Sequence, residues 1–493
     1  MQHAIRGRGR RRMVGLLLAC MCLASAALGG VAETVQAVVG DKLLAHAQVG
    51  VMVMRLGDTP GQCQLIYQHN ATAPLTPASN MKVVTTSAAL ATLGADFKFR
   101  TVLLQHGPDL IVWGDGDPTL GDAELMEKIK WDMLAVYNDW AAKLRQRGIT
   151  TARNVLVDDS IFDEQFLHPK WGKHRFELFG AELGGLNFNV NTLEFTVQSS
   201  GRTWSTRPAT GYVKVAANKC VASGQSVISI PREPEGNTVS LHGTIAGSCK
   251  ASITIHDPSL YSATVLGETL LGSGINITGG VGRDRSTRQQ YRAATPQQRA
   301  KDWPVLCIFE TPIQTVVTRA NKDSQNLYAE ALCKRAGAAA TGQSGSWASG
   351  TANTGRFLQK LGVSPAEFNL DDGCGLSRDN TISANAIVRV LMHAWLAPHR
   401  QQFVDSLSVG GVDGTLKKRF TNGLEGRVHA KTGFIDGVSC LSGYLEAGDG
   451  NWYAFSILMN GIPYKSNSQI KPLQDRIVKA IDDQTRPARH ASR

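Results

Sequence analysis

The sequence predicts an α/β protein in which one mixed domain is split by a long β-rich insertion. Three observations carry this reading. Strand-like alternation stands at both ends of the chain, at Val49–Gln68 and at Val428–Asn460. Helical periodicity gathers in the C-terminal third, from Ile313 onward. Between them, from about Phe97 to Trp303, short apolar runs alternate with turn clusters such as Gly114-Asp115-Gly116-Asp117-Pro118. A chain of 493 residues exceeds what one core usually holds, so two or three domains are expected. The divisions read as 1–26 for a leader, 27–96 and 303–493 for the two halves of the split domain, and 97–302 for the insertion, in two subdomains.

Taken in order, Val49–Arg55 and Gln62–Gln68 flank a Gly-Asp-Thr-Pro-Gly turn and read as a hairpin. Met81, Val83, Val84, Ala88, Ala89, Leu90 and Leu93 recur at helical spacing, and Gly94 ends the run. Ala123–Arg147 reads as one helix inside the strand-rich region. Arg283–Lys301, rich in Gln and Arg, reads as a surface connector. Ile313–Arg319 and Leu327–Gly337 are helical, Gln343–Thr354 is a Gly/Ser/Thr loop, and Thr381–Leu396 is a helix with Ser383 as its cap. Strands Val428–Thr432, Val438–Glu446 and Trp452–Asn460 precede a last helix over Ile470–Ile481.

Composition excludes several classes. Apolar residues at 42% and charged residues at 19% describe an ordinary globular chain. No internal apolar run reaches the roughly 18 residues of a membrane span. The N-terminus reads as an export leader: Arg6, Arg8, Arg10, Arg11 and Arg12 precede an apolar run, Met13–Leu23, and Ala24-Ser25-Ala26 fits a small-residue cleavage site. Leu17-Leu18-Ala19-Cys20 leaves lipoprotein processing at Cys20 open, and Arg10-Arg11-Arg12 leaves twin-arginine export open. Cleavage near Ala26 and a periplasmic location, with at most peripheral membrane contact, are the expectation. Removing the five leader arginines lowers the formal charge from +11 to +6. The remainder is scattered, so no nucleic-acid footprint exists. The seven cysteines outside the leader form no CxxC pattern, which argues against a zinc site. Cys220 and Cys249 share one strand-rich region and leave a disulfide open.

Chemistry concentrates in three short patterns: Ser79-Asn80-Met81-Lys82, Ser324-Gln325-Asn326 and Lys431-Thr432-Gly433. Residues i and i+3 share a helix face, so Ser79 and Lys82 can meet. A serine needs a base to become a nucleophile. A lysine serves as that base only when burial or a neighbouring cation lowers its pKa. Each pattern alone is common. Ser-x-x-Lys recurs at Ser468–Lys471, where the serine reads as a helix cap, and Ser-x-Asn recurs at Ser383–Asn385. Their order and setting are far more specific.

Together the three patterns resemble those of penicillin-binding proteins and serine β-lactamases. The flanks Asn326–Glu330, Asp372–Arg378, Gly411–Leu416, Val438–Tyr444, Gly114–Leu120 and Val157–Phe162 resemble one branch. That branch is the class C low-molecular-mass D-alanyl-D-alanine carboxypeptidase/endopeptidase family. The resemblance implies a split transpeptidase-like domain, an antiparallel sheet flanked by helices, carrying the insertion. It implies no cofactor and no metal. It implies peptidoglycan stem peptides as substrate and β-lactams as covalent inhibitors. Ser79 would attack the D-Ala-D-Ala carbonyl, with Lys82 as base. Ser324 would pass a proton to the leaving amine, and Asn326 would orient Lys82 and the substrate amide. Lys431 and Thr432 would hold the terminal carboxylate. The N–H groups of Ser79 and Phe434, after Gly433, would form the oxyanion hole. Asp158, Phe162 and Arg378 resemble positions facing the substrate's diamino-acid side chain. Two residues depart from the pattern: Cys374 replaces a small hydroxyl residue, and Phe434 a small polar one. A β-lactamase and a silent wall-binding scaffold are the rival readings.

Overall fold

The computed structural model describes residues 30–198, 203–464 and 466–485. The expected leader, 1–26, lies outside them. The chain divides into two compact units. The first comprises residues up to Val83, Leu358–Asn369 and Arg378 onward; the second comprises Val84–Phe357 and Leu370–Ser377.

The first unit is built on a six-stranded antiparallel sheet. Its order is Ser408–Val409, Val428–Ile435, Val438–Glu446, Trp452–Asn460, Gln48–Arg55, Gln64–His69. The chain's two ends meet in its centre, with Val51 opposite Ile457 and Lys431 opposite Ser442. Val438–Glu446 is buried along all but its last residue, the pattern of a strand covered on both faces. One face packs Val31, Val35 and Val38 of a helix over residues 30–39 together with Ile470, Ile477 and Ile481 of the Asn467–Thr485 helix. The other carries the Ala384–Leu396 helix, to which Tyr444 donates at Leu391 O, 2.7 Å. Ser383 caps that helix through the Ala386 N–H, as expected. Ser468, expected as a cap, instead lies in the first turn of the last helix, which starts at Asn467.

The second unit contains a mixed five-stranded sheet, ordered Asn276–Arg283, Thr151–Asp158, Asp109–Trp113, Lys98–His106, Val305–Pro312. The first three strands run parallel and the last two add antiparallel. Two three-stranded sheets lie between residues 192 and 254. Tyr137, Trp140, Phe188, Phe195 and Tyr261 join these parts in one core. The helices Ile313–Lys322 and Asn326–Thr341 follow.

Three further expectations change. Ala123–Arg147 is two helices, Ala123–Lys128 and Ala135–Gln146, because Lys130 takes a left-handed conformation (φ +57°). The Gln343–Thr354 loop is mostly helix, Trp347–Lys360; the buried Trp347 indole donates to Glu330, and that packing overrides weak helical propensity. The connector Arg283–Lys301 carries the short helices Thr287–Ala293 and Pro296–Asp302, the second opened by a Thr295/Gln298 capping box. All seven cysteines outside the leader are free thiols, Cys220 and Cys249 included.

Candidate active site

Ser79 lies in a single 3-10 turn, Ala78–Asn80, from which the Met81–Leu93 helix runs on without a break. The turn is entered through Ala78 at φ +46°, a left-handed conformation that residues with a Cβ seldom take. It turns the half-buried Ser79 hydroxyl toward Lys82, whose Nζ donates to Ser79 Oγ at 3.0 Å. Lys82 is fully buried.

The strand Val428–Ile435 brings Lys431, Thr432 and Gly433 to this turn. Gly433 is required by closeness: a Cβ there would stand 2.6 Å from Pro77 O and 3.1 Å from Asn80 N. Lys431 is fully buried and donates to Thr432 O at 2.8 Å. Burial pushes its pKa well below that of a free lysine, and the Lys82 charge pushes it further. Two buried lysine amines thus lie close to one serine hydroxyl between helix and strand. Phe434, next along, is 45% exposed.

Sequence reasoning gives no role to four supporting residues, Asn80, Ser442, Ser456 and Thr415, whereas Arg378 is among its candidates. Asn80 donates to Ser442 Oγ at 2.7 Å, and Ser442 donates to Ser456 Oγ at 2.9 Å, a buried chain tying the Ser79 turn to two sheet strands. Thr432 Oγ1 donates to Thr415 Oγ1 at 2.9 Å. Thr415 belongs to the Gly411–Leu416 flank, so its signal was present without a role attached. Arg378 donates to Asp436 O at 2.7 Å, at the tip of the hairpin that carries Lys431.

The second unit holds the other predicted residues. Ser324 sits between two helices at φ +59°, and Asn326 opens the second helix and donates to Phe179 O at 2.9 Å. Asp158 is fully buried, accepting from Thr287 Oγ1 at 2.7 Å, Arg288 N at 2.8 Å and Ser160 N at 2.9 Å. Phe162 is fully buried against Leu183, Leu327 and Ala331 and fills the space beside Gly116. In the structure these two side chains are occupied by their own unit's interior.

One group has metal-ligand composition: Glu330, Asp372 and Cys374, whose ligand atoms lie within 4.8 Å of one another. Its oxygens are already committed. Glu330 accepts from Gly373 N, Cys374 N and Trp347 Nε1; Asp372 accepts from Gly375 N, Ser377 N and Trp171 Nε1. An acceptor set so filled with N–H donors holds a loop, not a cation. Burial, then the Asp372 charge, push the Glu330 carboxyl up to about 7.

Comparison with known proteins identifies the family of the chain. The profile of the D-Ala-D-Ala carboxypeptidase 3 (S13) family matches residues 31–484. A D-alanyl-D-alanine carboxypeptidase of Actinomadura sp. is 31% identical over 463 residues, covering 87% of this chain and 80% of that protein. The penicillin-sensitive carboxypeptidase A of Dictyostelium discoideum is 25% identical over 477 residues, covering 87% and 86%. Among solved structures, penicillin binding protein 4 of Haemophilus influenzae superposes with a TM-score of 0.71 at 22% identity, covering 93% of this chain and 99% of that one.

Proposed function

The chain belongs to the D-Ala-D-Ala carboxypeptidase 3 (S13) family, and from that premise we propose that Ser79 carries the reaction through an acyl-enzyme. The fold is the split penicillin-binding type and the activity is that of a serine D-Ala-D-Ala carboxypeptidase. The residue roles follow from chemistry at the first unit's site. Uncharged Lys82 takes the Ser79 hydroxyl proton as Oγ attacks the carbonyl of the penultimate D-alanine. The tetrahedral oxyanion is held by the N–H groups of Ser79 and Phe434. The C–N bond breaks, the terminal D-alanine leaves with a proton relayed through Ser324, and water releases the acyl group.

The observation that carries this reading is the buried pair Lys82 and Lys431 beside Ser79. Burial disfavours two charges there. A substrate carboxylate reaching Lys431 and Thr432 restores the charge on Lys431. That charge in turn favours an uncharged amine at Lys82. Substrate capture and activation of the base are then one electrostatic event.

The same reading extends to DD-endopeptidase action on peptidoglycan cross-links, to β-lactams as acylating inhibitors and to a periplasmic site of action after cleavage near Ala26. Asn326 would orient the substrate amide, and Arg378 would serve the diamino-acid side chain; Asp158 and Phe162, buried in their unit's interior, would act only by shaping that unit. Among the described residues no helix is long and apolar enough to cross a membrane. Benzylpenicillin and intact-mass spectrometry test the core claim. One adduct is expected on the native chain and none on Ser79→Ala; an adduct on that variant overturns Ser79 as nucleophile.

A further inference from the structure

Beside the Ser324-Gln325-Asn326 turn, within the second unit, lies a cavity of about 190 Å³ that the reaction above does not use. Arg207, Arg319, Glu124, Glu194, Asn189 and Gln325 line it. Arg319 is buried, 3% exposed, with Nη2 on Asp122 at 2.7 Å and Nη1 on Asp323 at 2.6 Å. Its Nε has no hydrogen-bond partner among the described residues. Glu124, a carboxylate of the same lining, also pairs with Nη1 at 3.1 Å, so Arg319 is held in place by three acidic side chains and forms the fixed floor of the cavity.

The opposite wall pairs charge across a sheet. Glu194 stands directly opposite Arg207 in the antiparallel ladder, and the two form no ion pair within 4.0 Å among the described residues. Glu194 reaches Lys250 at 2.8 Å. Arg207 is exposed, its guanidinium unpaired there.

The third wall is strained. Asn189, Val190 and Asn191 have φ of +49°, +47° and +59°. Three left-handed residues in a row are rare, and for a β-branched valine the conformation is an outlier. Such strain persists where the surroundings hold it, and it gathers at binding sites. Here Asn189 accepts at its Oδ1 from Ala123 N and donates from Nδ2 to Thr192 O.

We propose that this cavity binds a small zwitterion of amino-acid size, its carboxylate on Arg207 and its ammonium on Glu194. The volume suits a handful of heavy atoms. Both charges of the occupant are needed, because the lining presents both signs. The occupant touches Gln325, one residue from Ser324, and Arg319 also holds Asp323, so occupancy bears on the Ser324 turn. D-alanine, the amine the carboxypeptidase releases, is the probe; its choice rests on the function proposed above, whereas the site does not.

The test is calorimetry of the full chain acylated at Ser79 by benzylpenicillin, titrated with D-alanine. One binding isotherm is expected, weakened about tenfold by Arg207→Ala and again by Glu194→Gln, the worth of one charge-assisted contact. Acetate and ethylamine should each fail to displace the probe. No isotherm on the acylated chain, or one unchanged in both variants, overturns the site, and displacement by acetate alone overturns the zwitterion. If penicillin does not acylate Ser79, the proposed function falls, and the same titration on Ser79→Ala still judges the cavity.

Discussion

Two of the buried pairs of like residues, one acidic and one basic, are treated in opposite ways. In the second unit Glu330 and Asp372 accept six N–H donors between them, two from tryptophan indoles. In the first unit Lys82 and Lys431 reach a serine hydroxyl and a backbone carbonyl. The acid pair is sheathed, and the outcome is a loop, residues 372–377, wrapped on carboxylates. The base pair is set beside the Ser79 hydroxyl, which in the proposed reaction loses its proton. The lesson is that burial of like charge is not in itself a catalytic sign. What surrounds the charges decides whether they build structure or reactivity.

Breaking the base pair should have the largest effect. Lys82→Gln keeps the side chain's bulk and removes the base, so acylation by labelled penicillin should slow by about ten-thousandfold. Glu330→Gln, which alters the acid pair, should change that rate by less than about threefold. Equal losses in the two variants would erase the distinction drawn above.

Next comes pH. Glu330 has a folded pKa of about 7 against 4.5 unfolded, so the folded state holds the proton more tightly. Its contribution is therefore full below about 4.5 and lost as pH rises through 7, about 3 kcal/mol in all. Thermal melting across that window should show a decline that Glu330→Gln flattens. Lys431 has the reverse sign. Its folded pKa lies well below 10.5, the unfolded chain binds more protons, and stability from this group rises with pH up to 10.5. Lys431→Met should remove that rise, raise stability at neutral pH by about 1–2 kcal/mol and abolish D-alanine release. A variant both less stable and inactive would mean that the amine is a structural support. The smallest effect sharpens the carboxylate side: Thr415→Val should raise KM for a pentapeptide about fivefold with little change in kcat, since Thr432 loses a hydroxyl partner.

Much of this was legible in the residues. The C-terminal strands Val438–Glu446 and Trp452–Asn460 were read at their true bounds because each is a run of apolar and small residues closed by the turn Ala447-Gly448-Asp449-Gly450 between them. Ser79 and Lys82 could be paired from their spacing alone. Helix Trp347–Lys360 was not legible, because its Gly, Ser and Thr residues favour loops and only the burial of Trp347 decides the matter. Thr415 and the Asn80-Ser442-Ser456 chain were invisible as partners. Their contacts join residues hundreds of positions apart, or a strand to a loop, and no local periodicity encodes that. The strained Asn189-Val190-Asn191 run left no trace, since valine is the residue least expected at positive φ.

The closeness of Gly433 to the nucleophile turn reaches beyond this chain. A related gene that kept its serine and both lysines but gained a single methyl group at that position would force the strand off the Pro77 carbonyl. Such a gene would encode a decoy, intact on paper and silent in the cell wall. In sorting living enzymes from retired ones, the residue with no side chain is the better witness.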